Sequence, residues 1–182
     1  MSGYEQVTLT RECRATEIPS GSPLVLASGI VVTITQTLGG NFTILTDVGN
    51  MARIDAKDAD ALGKSKPEAP APGAATEGPL DDGKIWEILK MVYDPEIPAN
   101  IVDLGLVYEC TVTPLPDGGS KAAVKFTMTA PGCGMGDVLA ADIEQRVLNL
   151  PGVKQVDIEV VFDPPWTPDR MSEAAKLQLG MV

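Results

Sequence analysis

The hydrophobic pattern of the chain falls into two patterned stretches separated by one without a pattern. Residues 1–63 carry short β-branched runs that end at glycines and prolines, which is typical of strands joined by tight turns. Residues 82–182 combine apolar alternation with apolar spacings of three and four, which predicts strands and helices together. Residues 64–81 are rich in Pro, Ala, Gly and Glu and have no apolar period. We therefore predict two domains joined by a flexible linker.

The N-terminal stretch is predicted to form a small, mostly antiparallel β unit. β-Branched runs cover residues 24–38 and 42–45, and Gly39-Gly40-Asn41 between them is a hairpin signal. A third short strand is predicted over residues 51–54. The unit has no cluster of catalytic residue types, so we expect it to bind or to scaffold.

The C-terminal stretch predicts the order helix, strand, strand, helix, strand. Apolar positions 85, 88, 89 and 92 share one helix face, and Asp81 or Asp82 can cap its start. Alternation predicts strands over residues 106–113, 122–128 and 156–162, and helical spacing predicts a second helix over 135–150. The fold class is therefore α+β, a compact open sandwich with both helices on one face of the sheet. A last helix is expected over about residues 169–179, capped by Thr167 or Asp169.

Composition excludes several function classes. The chain has no histidine, so neither a Ser-His-Asp triad nor a His-ligated metal can form. The net charge is −11 without a basic patch, which argues against nucleic acid as a partner. No apolar run approaches the roughly 20 residues of a membrane span, and the first residues do not resemble a signal peptide. We expect a cytoplasmic protein that does not act at a membrane.

Three cysteines are present, without a CxxC pair. Cys110 lies on the apolar face of a predicted strand and is expected in the core, and Cys13 has no motif around it and is taken as incidental. Cys133 lies between Gly132 and Gly134, just before the second helix. The helix dipole and free N–H groups there favour thiolate, although a passive cysteine in a glycine-rich turn is the alternative.

Three carboxylates, Asp94, Glu96 and Asp103, lie in the segment after the first helix. Their spacing does not match an EF-hand. They are either turn and cap residues or groups that assist Cys133 as outer ligand, proton acceptor or partner contact. Trp166, in a proline-rich tail, either packs as a lid on the core or is exposed for a partner.

Four motifs in order resemble those of the metal–sulfur cluster biosynthetic domain family, which includes SufT and PaaD-like proteins. They are Asp94-Pro95-Glu96-Ile97-Pro98, Asp103-Leu104-Gly105-Leu106, Thr127-x-Thr129-x-Pro131-x-Cys133 and Asp163-Pro164-Pro165-Trp166. Residues 1–63 resemble the extension typical of SufT. No cysteine follows Cys133, unlike in PaaD-like proteins, and neither a P-loop nor a dinucleotide fingerprint is present, so no nucleotide is expected.

The resemblance implies an auxiliary factor in iron–sulfur cluster assembly or transfer rather than an enzyme. Its partners would be assembly proteins and client apoproteins, with a homodimer as one arrangement, and its cofactor would be iron or a transient iron–sulfur cluster. Cys133 would be a shared cluster ligand or a client-contact thiol. The alternative is an adaptor that docks clients without binding metal. The functional loop residues implied are Asp94, Glu96, Asp103, Thr129, Gly132, Gly134 and Trp166.

Overall fold

A computed structural model describes residues 4–66 and 80–181, which belong to two separate units. Most of the predicted linker over residues 64–81 lies outside the described residues. Lys64 is described, and it belongs to the N-terminal unit because its ammonium group contacts the carboxylate of Glu5 and its N–H donates to the carbonyl of Ala59. The exact extent of the linker stays a prediction.

The N-terminal unit is a six-stranded antiparallel sheet with the strand order β1-β4-β5-β6-β2-β3. A 3₁₀ helix, Ala56–Leu62, follows the last strand. The buried face carries Phe42, Ile44 and Ile54, among other apolar side chains. The strands are β1 Glu5–Thr8, β2 Cys13–Glu17, β3 Pro23–Leu26, β4 Val31–Leu38, β5 Asn41–Thr46 and β6 Met51–Ile54.

The predicted β unit is confirmed, with two differences in its strands. The hairpin is present, since Leu38 pairs with Asn41 across Gly39 and Gly40. A single strand over residues 24–38 is wrong, because the chain turns between β3 and β4, where Gly29 donates its N–H to Leu9. Strands β1 and β2 were not predicted, because they are short and carry few β-branched apolar residues.

The C-terminal unit has the predicted element order and the predicted α+β class. Its sheet has the order β7-β8-β9, with β7 antiparallel and β9 parallel to β8. Asp81 caps the first helix by accepting the N–H of Lys84. The elements are α1 Asp82–Leu89, β7 Val107–Pro114, β8 Ser120–Phe126, α2 Gly136–Leu148, β9 Val153–Val160 and α3 Glu173–Gln178.

The core of this unit lies between the sheet and the helices α1 and α2. Helix α2 packs on β9, and α1 contacts both β7 and α2. Phe126 of β8 and Leu139 and Ile143 of α2 are completely buried there. None of the described helices is both long and apolar enough to cross a membrane.

The last helix begins later than predicted. Residues Pro168–Arg170 form a separate 3₁₀ turn, and Met171 and Ser172 are extended. The hydroxyl of Ser172, rather than Thr167 or Asp169, caps α3 by accepting the N–H of Ala175 at 3.1 Å. The extended backbone at Met171 and Ser172 separates the 3₁₀ turn from α3.

Candidate functional site

Cys133 lies in the segment that connects β8 to α2, residues 127–135, which we call the thiol loop. Buried Met128 and Met135 anchor its two ends, while Gly132 and Gly134 are exposed and Thr129 is half-buried. Gly132 has a φ of +78°, and a Cβ on it would meet no atom within 4 Å. The loop therefore presents Cys133, which is partly exposed, between two fixed ends.

The thiol loop leads directly into the first turn of α2. The residue before the helix, Met135, contributes no side-chain hydrogen bond to the N-terminal backbone groups. The N–H of Gly136 makes only a long bond, 3.4 Å, to the carbonyl of Cys133. The sequence placed Cys133 beside a helix N-terminus, and its position three residues before α2 agrees with that expectation.

The other two cysteines are closed off from solvent. Cys110 is 8% exposed on the helix-facing side of β7, and burial raises the pKa of its thiol to about 11, with a smaller contribution from the charge of Asp82. Its prediction as a core residue is confirmed. Cys13 is 3% exposed in the N-terminal core, where burial also raises its pKa, so it is a packed residue rather than an incidental one.

Asp94 begins the carboxylate loop, residues 94–106, and its side chain is used within the loop itself. Its Oδ1 accepts the backbone N–H groups of Glu96 and Ile97 at 2.8 and 2.9 Å, the pattern of an Asx turn. Burial raises the pKa of Asp94, although these two donors oppose that shift. Glu96 itself is exposed, and its pKa is raised by partial desolvation and by the charge of Asp94.

Asp103 is held in a second turn of the carboxylate loop by Asn100, which the sequence analysis did not single out. Asn100 donates its side-chain amide to the Asp103 carboxylate at 2.6 Å and accepts the Asp103 backbone N–H at 2.8 Å. The carbonyl of Asp103 accepts the N–H of Ser172. An Asn three residues before an Asp is a signal from which this turn could have been found.

Residues 163–172, the C-terminal strap, bind across the end of the carboxylate loop. Trp166 is half-buried, and its indole N–H donates to the carbonyl of Leu104 at 2.8 Å. Tyr108 donates its hydroxyl to the carbonyl of Pro164 at 2.8 Å, and the guanidinium of Arg170 lies 4.4 Å from the centre of its ring. Trp166 is thus held to the carboxylate loop by a hydrogen bond, and the contacts of Tyr108 with Pro164 and Arg170 are ones that the sequence did not indicate.

Gly105 is required where the strap crosses the carboxylate loop. It has a φ of +70°, and a Cβ on it would lie 2.2 Å from the carbonyl oxygen of Arg170. Any other residue would combine a left-handed backbone with a steric clash. Gly105 lies within the motif Asp103-Leu104-Gly105-Leu106, but its role depends on a contact with Arg170, 65 residues later in the chain.

The two loops leave the same end of the C-terminal sheet. Val107, at the start of β7, pairs with Phe126, at the end of β8, and the N–H of Thr127 donates to the carbonyl of Leu106 at 2.8 Å. The sequence alone does not predict that the carboxylate loop and the thiol loop lie at the same end of the sheet. Within the described residues, however, no set of three or more Cys, Asp or Glu side chains could hold a metal ion, so the carboxylates do not complete such a site with Cys133.

Comparison with known proteins identifies a family for the C-terminal unit and several similar proteins. A family profile described as "Iron-sulfur cluster assembly protein" matches residues 82–160. The chain is 44% identical over 98 residues to an "Fe-S protein maturation auxiliary factor" of Porphyromonas gingivalis, covering 54% of this chain and 90% of that protein. It is 36% identical over 97 residues to the factor YitW of Bacillus subtilis, with coverages of 53% and 91%.

The factor SufT of Staphylococcus aureus is 37% identical over 91 residues, which is 50% of this chain and 99% of that protein. Since this relative is matched over almost its whole length, about half of the present chain has no counterpart in it. A SufT-type origin for the N-terminal β unit therefore stays a prediction.

Proposed function

Because the chain belongs to the iron–sulfur cluster assembly protein family, we propose that it is an auxiliary factor in the maturation of iron–sulfur proteins, with Cys133 as its working thiol. The observation that carries the proposal is the contrast among the cysteines: Cys133 is partly exposed, while Cys13 and Cys110 are buried. The thiol acts in assembly or transfer and turns over no substrate of its own. A cytoplasmic location, with assembly proteins and client apoproteins as partners, belongs to the same proposal.

The cluster, or iron, is cargo in this proposal. An iron–sulfur cluster is usually held by about four thiolates, and this chain offers one accessible thiol. The remaining ligands would come from a client, an assembly protein, a small thiol or a second copy of the chain. A cluster held by one thiolate of this protein can leave more readily than one enclosed by four, which suits transfer.

The residues around Cys133 have distinct roles in the proposal. Gly132 and Gly134 leave the sulfur approachable, and Thr129 belongs to the same loop. Asp94, Asp103 and Trp166 hold the carboxylate loop in shape through their hydrogen bonds. Glu96, the exposed carboxylate of that loop, is assigned to partner contact.

Direct ligation can be tested by anaerobic reconstitution of the full chain with ferrous iron and sulfide. We expect the wild type and the matched variant Cys110→Ala to develop the visible absorbance of sulfide bound to iron, and Cys133→Ser to lose most of it. Iron and sulfide analysis of the gel-filtered proteins gives the same comparison. Equal absorbance for Cys133→Ser and wild type would sink the ligand role.

An adaptor that binds clients without metal is the second candidate. It is favoured by the lack, in the described part of the chain, of any set of three metal-ligating side chains. Capture of client proteins by immobilised wild type and by Cys133→Ser distinguishes the two. An adaptor keeps its partners in Cys133→Ser under anaerobic conditions, whereas a shared ligand loses those that bind through the cluster.

A further inference from the structure

Strand β9 is the open edge of the C-terminal sheet. It pairs only with β8 among the described strands, and all eight of its residues are partly or fully exposed. The N–H of Val161, one residue past the strand, donates to the carbonyl of Phe126 on β8 at 2.8 Å. Since backbone groups alternate along a strand, those of Val156, Ile158 and Val160 point away from β8. No hydrogen bond from another described segment reaches them.

A groove runs along this edge beneath helix α2. Its volume is about 310 Å³, and it is lined by Asp137, Ala140, Ala141, Glu144 and Ile158. The alanines leave room above the edge, and the Ile158 side chain is only partly covered, because α2 packs on β9 and β8 is the only described strand that pairs with β9. A fourth strand beside β9 would extend the sheet and place alternate side chains in this groove.

The charges at the edge favour a positively charged binding partner. Asp137 and Glu144 at the groove have no ion-pair partner among the described residues, while Glu159, on the opposite face of the strand, lies beside Lys125 of β8. Lys154, the basic residue of β9, contacts the carbonyl and the carboxylate of Asp117 with its ammonium group. A second copy paired through β9 would bring the Asp137 and Glu144 carboxylates of two chains to one edge, whereas a segment that carries lysine or arginine would neutralise them.

We propose that the β9 edge and the groove beneath α2 dock an extended, basic segment of a partner protein, which adds a fourth strand to the sheet. Main-chain hydrogen bonds to the free edge provide affinity, and the groove with its carboxylates selects small apolar and basic side chains. β9 runs parallel to β8, and Val160 pairs with Phe126, so the edge ends at the same end of the sheet as the thiol loop. A bound segment therefore leads toward Cys133, but its binding does not depend on Cys133.

The probe for the test is a fluorescent peptide with lysines at both ends and at alternate positions between valines, titrated with the full chain. We expect binding at low salt that weakens as salt rises. The same peptide with glutamate in place of lysine should not bind. A version N-methylated at alternate backbone nitrogens, which cannot pair with a strand edge, should also lose binding.

Two variants test whether the peptide binds at the β9 edge and its groove. Ile158→Pro removes an N–H that points away from the sheet, so the fold keeps its own bonds while the edge loses a donor. Glu144→Lys reverses a groove charge, and Glu87→Lys, an exposed helix position on α1, is the matched control. We expect Ile158→Pro and Glu144→Lys each to weaken binding at least about tenfold, and Glu87→Lys to stay within about twofold of wild type.

Unchanged binding to Glu144→Lys, or equal binding of the N-methylated peptide, would overturn the proposal. So would a dimer of the full chain that Ile158→Pro dissociates, because the edge would then belong to a second copy. Cys133→Ser should bind the peptide as the wild type does, which separates a failure here from a failure of the cluster proposal.

Discussion

The carboxylate loop and the thiol loop leave the same end of one sheet but are held very differently. The carboxylate loop is fixed by Asp94, by the Asn100–Asp103 pair and by the C-terminal strap. The thiol loop is anchored at its two methionines, and its middle is exposed. Asp94 and Asp103, which look like reactive groups in the sequence, therefore stabilise the carboxylate loop through their hydrogen bonds, whereas the thiol loop leaves its thiol accessible.

The largest expected effect is a loss of stability when Gly105 of the carboxylate loop is replaced. We expect Gly105→Ala to lower the free energy of unfolding by about 3 kcal/mol, because backbone strain adds to the clash with Arg170. Gly132→Ala has the same sign of φ but open space around its Cβ, so it should cost only about 1 kcal/mol. Urea denaturation of both variants measures the difference, and equal losses would mean that the strap does not constrain the carboxylate loop.

The second expected effect is a difference in alkylation rate among the three thiols. In the folded protein we expect iodoacetamide to alkylate Cys133 at least about 100-fold faster than Cys110 or Cys13, because the two buried thiols react only after opening and burial raises their pKa. Mass spectrometry of quenched digests gives the rate at each site. The rates should converge in denaturant. Comparable rates in the native state would contradict the assignment of Cys133 as the accessible thiol.

The smallest effect is a pH dependence at Asp94. Burial raises its folded-state pKa above the unfolded value of about 3.9, so the folded chain holds this proton more tightly and the resulting stabilisation is lost as the pH rises through the folded pKa. Asp94→Asn keeps an acceptor oxygen for Glu96 and Ile97 but cannot ionise. We expect the unfolding free energy of wild type relative to Asp94→Asn to fall from about pH 3 toward neutrality. A difference that is constant with pH would show that Asp94 is not desolvated.

Much of the fold could be predicted from the sequence, because amphipathic periods and turn residues are local. The element order of the C-terminal unit and the hairpin at Gly39-Gly40 depend on such local signals. Strands β1 and β2 and the start of α3 were missed, since they depend on pairing partners and on an extended Ser172 cap. In the site, the exposure of Cys133 could be predicted from its glycine neighbours, and the burial of Cys110 from strand alternation. The Gly105–Arg170 contact and the Trp166–Leu104 bond depend on distant segments, so no local pattern predicts them.

The role of Cys133 is tested most directly by the activation of an apo [4Fe–4S] enzyme by the reconstituted full chain under anaerobic conditions. We expect wild type and Cys110→Ala to restore activity at similar rates, and Cys133→Ser to be slower by at least about tenfold, because the accessible thiol of the thiol loop is missing. If Cys133→Ser activates the enzyme as fast as the wild type, Cys133 is not the working thiol of this protein.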